Sequence, residues 1–173
     1  IASAPMKLIL FDCDGTLVDS QNLIVSTMEA AFAEHLLAVP PRAAVLGIIG
    51  LSLETAVARL LGSDAHRAEE MAASYRRLFH ARRATEPLEP LYPGAREVVT
   101  RLAERDDVLL GIVTGKARRG VDAVIGGHEL LDRFVTIQTA DDAPSKPDPG
   151  MIFRALSETG TDPAGTVMIG DTT

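Results

Sequence analysis

Two aspartates one residue apart, Asp12 and Asp14, stand directly after the apolar run KLILF. Such a run is typical of a strand buried on both faces of a sheet. Because side chains alternate along a strand, the two carboxylates point the same way and converge beyond its carboxyl end. Two carboxylates that converge repel each other, so they require a nearby cation, a shared proton or contact with open water. The alternative is a solvated acidic turn, in which Asp and Gly serve as turn formers. DCDG alone does not choose between the two interpretations.

Further groups that suit phosphate or a cation follow the next three apolar runs of the chain. IVTGK places the hydroxyl of Thr114 and the amide of Gly115 after the second run, and both groups can bind phosphate oxygens there. SKPDP places Lys146 after the third run, and MIGDTT places Asp171 after the fourth. Each has a plainer alternative, namely a helix cap for Thr114 and Asp171 and a solvated side chain for Lys146.

Four strands must position these groups, at residues 7–11, 108–113, 134–138 and 166–170. Helical periodicity separates the last three of these runs. Strand–helix alternation predicts an α/β fold with a parallel sheet and right-handed crossovers. Ligands of such sheets bind beyond the carboxyl ends of the strands. We therefore expect a parallel sheet in which the first strand is central, flanked by the second and the fourth.

One long segment, residues 20–88, interrupts this alternation with helical signals alone. Residues 85–94, which include three prolines, are typical of a linker that returns the chain to the core. We therefore predict two domains. The core comprises residues 6–19 and 89–173, and residues 20–88 form an all-helical cap inserted after the first strand.

Composition excludes several classes of partner. The formal net charge of −7 gives no electrostatic footprint for nucleic acid or for an anionic membrane. The apolar runs are too short to span a bilayer, and we see no signal peptide. The single cysteine, Cys13, cannot form an internal disulfide, so a reducing cytoplasm is the expected compartment. We expect a monomer or a homodimer.

In this order, DCDGTLVDS, VTGK, SKPDP and IGDTT resemble the four motifs of the haloacid dehalogenase superfamily. The nearest group is its phosphoglycolate-phosphatase-like and β-phosphoglucomutase-like branch, and the resemblance covers nearly the whole chain from Met6. It implies a Rossmann-like core with a helical cap between the first two motifs. It also implies a phosphatase that acts on a small phosphorylated metabolite.

The resemblance implies a role for each motif residue. Asp12 is the expected nucleophile, and Asp14 is the expected general acid and then general base. Thr114, Gly115 and Lys146 are expected to hold the transferring phosphoryl group. The expected metal is Mg²⁺, held by Asp12, by Asp14 through its backbone carbonyl, and by Asp171. These roles are chemically coherent, because a hard cation and a lysine offset the charge as a carboxylate approaches phosphate.

This sequence differs from the pattern of the family at its C-terminal end. The family usually has one more acidic residue shortly after the equivalent of Asp171, followed by a last strand and helix. We therefore expect a C-terminally incomplete core, and a catalytically impaired relative stays open as an alternative. At the other end, we expect the natural start at Met6 and leave residues 1–5 out of the fold prediction.

Other reactions of the same fold are less well supported. A 2-haloacid dehalogenase has no use for Asp14, and a phosphonate hydrolase needs a cap lysine that residues 20–88 lack. A phosphomutase remains open. A receiver domain, a signalling module with similar residue types, has its phosphoacceptor after a middle strand and lacks the helical insert.

Several other residues also have expected roles. Lys116 either contacts a phosphate or faces solvent, and the loop that contains Asp141 and Asp142 is expected to orient Lys146. Cys13 is expected to pack inertly in the core. Four cap arginines are expected to form a solvated helix face from which one of them can reach a substrate carboxylate: Arg76, Arg77, Arg82 and Arg83.

Overall fold

The computed structural model describes residues 6–171, within which it has four strands and seven α-helices. The strands are β1 (Lys7–Phe11), β2 (Val108–Val113), β3 (Thr136–Gln138) and β4 (Thr166–Ile169). The helices are α1 (Gln21–Glu34), α2 (Arg42–Leu46), α3 (Leu53–Leu61), α4 (Ala68–Arg83), α5 (Ala95–Ala103), α6 (Arg118–Gly127) and α7 (Gly150–Thr159). Among these described helices, none combines the length and the apolarity that a membrane span requires.

The four strands form one parallel sheet in the order β3-β2-β1-β4. The prediction of a Rossmann-like α/β core with the first strand between the second and the fourth is confirmed. Two predicted strand bounds are wrong. The strand predicted at 134–138 begins at Thr136, because Phe134 still closes the 3₁₀ turn Leu131–Arg133. The strand predicted at 166–170 ends at Ile169.

Apolar side chains cover both faces of the sheet. On one face, α5 and α6 pack against β1 and β2 around fully buried Ile112 and Val121. On the other face, Met151 and Ala155 of α7 pack against Leu8 and Leu10 of β1. With both faces covered, the carboxyl ends of the strands and the loops after them remain available for ligands.

The residues between β1 and the return to the core are helical, and the described residues 20–88 contain no strand. They include α1 to α4 and the 3₁₀ turn Gly62–Arg67. They also have an apolar cluster of their own, in which α1 packs on α4 around Met28 and Met71. A separate cluster is what an independent cap needs, although the boundaries at 19/20 and 88/89 stay predictions.

The central position of β1 predicts where stability is concentrated. Leu10 is wholly buried on β1, opposite Gly111 of β2 and Met168 of β4. We expect Leu10→Ala to lower the free energy of unfolding by about 2–5 kcal/mol, because it leaves a cavity at the centre of the sheet. The check is urea denaturation. Val135→Ala is the control, at a side chain that is 60% exposed, and should change stability by about 0.5 kcal/mol or less. Equal losses in the two variants would contradict a core built around β1.

Candidate active site

The turn after β1 holds two carboxylates away from solvent. Asp12 is wholly buried and Asp14 is 7% exposed. Cys13 lies between them with its side chain in the apolar cluster, and burial raises the pKa of its thiol. The chain then turns sharply at Gly15, whose φ of +85° is a conformation that glycine adopts most readily. The predicted inert packing of Cys13 agrees with this position.

Lys146, Thr114 and a backbone amide surround Asp12. Oδ1 of Asp12 accepts a hydrogen bond from the backbone N–H of Cys13 at 2.7 Å, and Nζ of Lys146 donates to Oδ2. Burial raises the pKa of Asp12, while the Lys146 ammonium, the Cys13 amide and Thr114 act in the opposite direction. The site therefore contains a poorly hydrated carboxylate held by a single cation, which is a suitable arrangement for a nucleophile.

Asp14 faces a different set of partners. Nζ of Lys116 donates to both carboxylate oxygens of Asp14, at 2.9 and 3.1 Å. The hydroxyl of Ser20 donates to Oδ1 at 2.7 Å. Ser20 occupies the N-cap position of α1 but makes no side-chain cap hydrogen bond, because its hydroxyl is directed to Asp14. The first helix of the cap segment is thus bonded directly to the second aspartate.

The sequence did not assign Lys116 this role. Its side chain is only 9% exposed, so the alternative of a solvent-facing lysine is wrong. Burial lowers the pKa of its ammonium, but the charge and hydrogen bond of Asp14, together with smaller effects of Cys13 and Glu89, outweigh burial, so the pKa lies above its usual value. Its Nζ also lies 5.4 Å from the centre of the Phe79 ring on α4. The available signal was the spacing, since Lys116 lies two residues beyond Thr114 and an extended chain puts both on one side.

The turn after β2 carries Thr114 and Gly115. Thr114 is buried, and its hydroxyl accepts a hydrogen bond from the backbone N–H of Lys116 at 3.2 Å. Within residues 6–171, the N–H of Gly115 donates no hydrogen bond, so it is available to a phosphate oxygen. A Cβ at Gly115 would lie 2.5 Å from backbone atoms of Gly50 and Leu51. Glycine therefore allows the cap segment to approach this turn closely.

A second contact joins the cap segment to the loop that carries Lys146. The backbone N–H of Ser52 donates a hydrogen bond to the hydroxyl of Ser145 at 2.6 Å. Ser145 directly precedes Lys146, so the same loop holds the lysine at Asp12 and bonds the cap segment. The position of this loop therefore depends on the cap as well as on the core.

The carboxylates of Asp141 and Asp142 bond backbone and side-chain groups near their loop, and the role of that loop in orienting Lys146 stays a prediction. Asp141 accepts a hydrogen bond from the backbone N–H of Arg118 at the start of α6. Asp142 accepts from the backbone N–H and the hydroxyl of Thr139 in its own turn. The bonds of Asp142 are local, since an aspartate three residues from a free backbone amide forms a turn with it, whereas Asp141 bonds a residue 23 positions away.

The residues predicted to hold Mg²⁺ are Asp12, Asp14 and Asp171. Among the described residues, no three His, Cys, Asp or Glu side chains are grouped as a metal site, and the Asp14 side chain is directed to Lys116. The carboxylate of Asp171 does lie against the turn, because a Cβ at Gly15 would be 2.1 Å from its Oδ2. Two carboxylates, from Asp12 and Asp171, and the Asp14 backbone carbonyl form an all-oxygen set. Such a set fits a magnesium ion that keeps several waters.

A cavity of about 920 Å³ opens between the cap helices and the core, and Asp14 and Lys116 line it. α1, α3 and α4 form one wall, and the turn after β2 with α6 forms the other. Two of the four cap arginines, Arg76 and Arg83, line the cavity as well. Arg77 instead pairs with Glu34 outside the set of lining residues.

Known proteins resemble this chain in sequence over nearly its whole length. The family model described as haloacid dehalogenase-like hydrolase matches residues 9–173. The chain is 32% identical over 169 residues to pyrophosphatase PpaX of Bacillus cereus (strain B4264), covering 96% of the chain and 74% of that protein.

Two solved structures are similar as well. One is named as a "putative phosphoglycolate phosphatase" from Lactobacillus plantarum, with a TM-score of 0.83 and 26% identity, over 98% of this chain and 79% of that one. The other is a haloacid dehalogenase-like hydrolase from Streptococcus pneumoniae, with a TM-score of 0.80 and 27% identity, over 97% and 77% of the two chains.

The pair of Asp14 and Lys116 predicts a measurable coupling. We expect Asp14→Asn and Lys116→Met each to lower the free energy of unfolding by up to about 3 kcal/mol, because each leaves a buried partner unpaired. The double variant should cost clearly less than the sum of the two, since both charges are then gone. Urea denaturation of the four proteins gives the coupling energy. Additive losses would show that the two side chains do not interact.

Proposed function

Because the chain belongs to the haloacid dehalogenase-like hydrolase family, we propose that it is a Mg²⁺-dependent phosphatase that forms a phosphoryl intermediate on Asp12. The substrate class is a small phosphorylated metabolite. The observation that supports this best is the arrangement of two buried carboxylates, each bound by its own lysine. Asp12 with Lys146 and Asp14 with Lys116 provide two carboxylates with different surroundings at one strand end. Such a difference lets one carboxylate act as the nucleophile and the other as the general acid and base.

In the first half-reaction, a carboxylate oxygen of Asp12 attacks phosphorus and the bond from phosphorus to the ester oxygen breaks. Burial supports the attack, because a poorly hydrated carboxylate loses little solvation on reaching phosphate. The Lys146 ammonium and the free N–H of Gly115 are the proposed donors to the phosphoryl oxygens. Asp14, in its protonated form, donates its proton to the departing alkoxide. That proton must be acquired before the step, with the Lys116 contact loosened.

In the second half-reaction, Asp14 removes a proton from water while the water attacks phosphorus, and the Asp12 carboxylate leaves. The contacts from Lys116 and Ser20 to Asp14 support this step, since they hold the ionised carboxylate that a general base requires. The products are the alcohol and inorganic phosphate, and both aspartates return to their starting state.

Asp12, Asp171 and the backbone carbonyl of Asp14 are the proposed donors to Mg²⁺. The ion, when bound, supplies positive charge that offsets the repulsion between the Asp12 carboxylate and the phosphate. The placement of the Asp171 carboxylate against the Gly15 turn supports this assignment. We propose further that the protein acts in the cytoplasm as a monomer or a homodimer, on the strength of its net charge of −7 and single buried cysteine.

Asp14→Asn separates the two half-reactions. Acid–base assistance is worth about 10²–10⁴-fold, so hydrolysis of an alkyl phosphate should slow by that factor from the outset. With p-nitrophenyl phosphate, whose leaving group needs little protonation, the first step should continue while the second slows. We expect a burst of one nitrophenolate per enzyme followed by a slow steady rate, measured by stopped-flow absorbance in the presence of Mg²⁺.

Two controls accompany this experiment. Asp12→Asn should give neither a burst nor turnover, and removal of Mg²⁺ with a chelator should abolish turnover of the unchanged protein until Mg²⁺ is restored. An Asp14→Asn variant that hydrolyses alkyl phosphates at the unchanged rate would remove Asp14 from acid–base catalysis. Full activity without a divalent cation would remove Mg²⁺ from the proposal.

A further inference from the structure

The cavity beside Asp14 is placed to receive the part of the substrate that leaves. Asp14, the proposed donor to the departing oxygen, lines the cavity, whereas Asp12 is not among its lining residues. A phosphoryl group at Asp12 would therefore place the leaving group on the Asp14 side. The cavity volume of about 920 Å³ lies near the upper end of the range for small-molecule sites. A second phosphate or a two-carbon acid would fill only a small part of that space.

The cap wall of this cavity is largely apolar. Its apolar side chains include Ile24 and Met28 of α1, Ile48 and Ile49 after α2, and Tyr75 and Phe79 of α4. The rings of Tyr75 and Phe79 stack with centroids 5.6 Å apart. An apolar surface of this kind stabilises an apolar group that leaves water, and it offers no hydrogen bonds to a compact anion.

Three of the four lysine and arginine side chains that line the cavity are paired with carboxylates, namely Arg76, Arg83 and Lys116. Arg76 pairs with Glu54, which also lines the cavity. Arg83 pairs with Glu89, whose side chain is 4% exposed, at 2.9 Å.

The remaining charges of the lining are only partly paired. Lys116 is bound to Asp14. Four lining cations, Arg76, Arg83, Lys116 and Arg119, face the three lining carboxylates of Asp14, Glu54 and Asp141, and Glu89 pairs with Arg83 from outside the lining. Among the described residues, Arg119 is thus the one lining Lys or Arg without an ion pair, which is little positive charge for a leaving group that is itself an anion.

We infer that the substrate's leaving group is bulky, largely apolar and uncharged, such as an arylalkyl alcohol, and that it occupies the cavity between α1, α4 and α6. This inference rests on the proposed function, since it assumes that a phosphate ester reacts at Asp12. It separates this chain from a pyrophosphatase, whose leaving group is a phosphate and would need more positive charge here than Arg119 alone provides.

Matched substrates test the inference. The pair is 2-phenylethyl phosphate and ethyl phosphate, because the two alcohols are similar in acidity and differ in apolar size. With Mg²⁺ present, we expect kcat/KM to be at least about tenfold higher for 2-phenylethyl phosphate, the effect of burying a ring against an apolar wall. Pyrophosphate should be hydrolysed less efficiently than 2-phenylethyl phosphate.

A pair of variants on one helix turn locates the effect. Ala84 and Ala81 are both exposed at the end of α4, but only Ala84 lines the cavity. Ala84→Phe should fill the space and bring the two kcat/KM values close together, mainly by lowering the value for 2-phenylethyl phosphate. Ala81→Phe should keep the preference. Because both alanines are exposed, neither variant should disturb the fold.

Each outcome has a definite meaning. Ethyl phosphate or pyrophosphate hydrolysed as efficiently as 2-phenylethyl phosphate would overturn the inference and leave the proposed function intact. A preference that survives Ala84→Phe would overturn the assignment to this cavity. No hydrolysis of any ester with Mg²⁺ would overturn the proposed function, and this inference with it.

Discussion

The structure depends on one constraint, which is the need to neutralise two carboxylates buried at the end of the same strand. Asp12 and Asp14 lie too deep for water to screen them, so each requires its own cation. Lys146 comes from the loop after β3, and Lys116 from the turn after β2. The parallel sheet, in which β1 lies between β2 and β4, places the carboxyl ends of its strands at one edge and so brings both cations to that point.

The cap segment is joined to this charge arrangement through a few short contacts. Ser20 bonds Asp14 at the start of α1, and Ser52 bonds Ser145 beside Lys146. Phe79 lies over the Lys116 ammonium. A displacement of the cap would alter the surroundings of both aspartates. The cap wall of the cavity is therefore coupled to Asp14, the residue proposed to protonate the leaving group. In other enzymes, closure of such a cap over the substrate excludes water from the reaction.

Much of the fold was predictable, because short-range sequence patterns determine it. Four apolar runs, their polar ends and the purely helical stretch of 20–88 fixed the strand order and the place of Asp12 and Asp14. What failed depends on packing between distant segments or on competition between local hydrogen bonds. The pairing of Lys116 with Asp14 spans 102 positions, so no short-range pattern shows it. The hydrogen bonds of Asp142 to Thr139 in its own turn were likewise not predicted from the residue types. The roles of the site residues and the domain boundaries stay predictions.

The central claim is that Asp12 carries the phosphoryl group during turnover. The direct measurement is acid quenching of the Asp14→Asn variant during its reaction with p-nitrophenyl phosphate, followed by peptide mass spectrometry. The account predicts one phosphoryl group on the peptide that contains Asp12, appearing together with the first equivalent of nitrophenolate and absent when Asp12 is replaced by Asn. A phosphoryl group on any other residue, or release of that equivalent with no phosphorylated peptide, would contradict it.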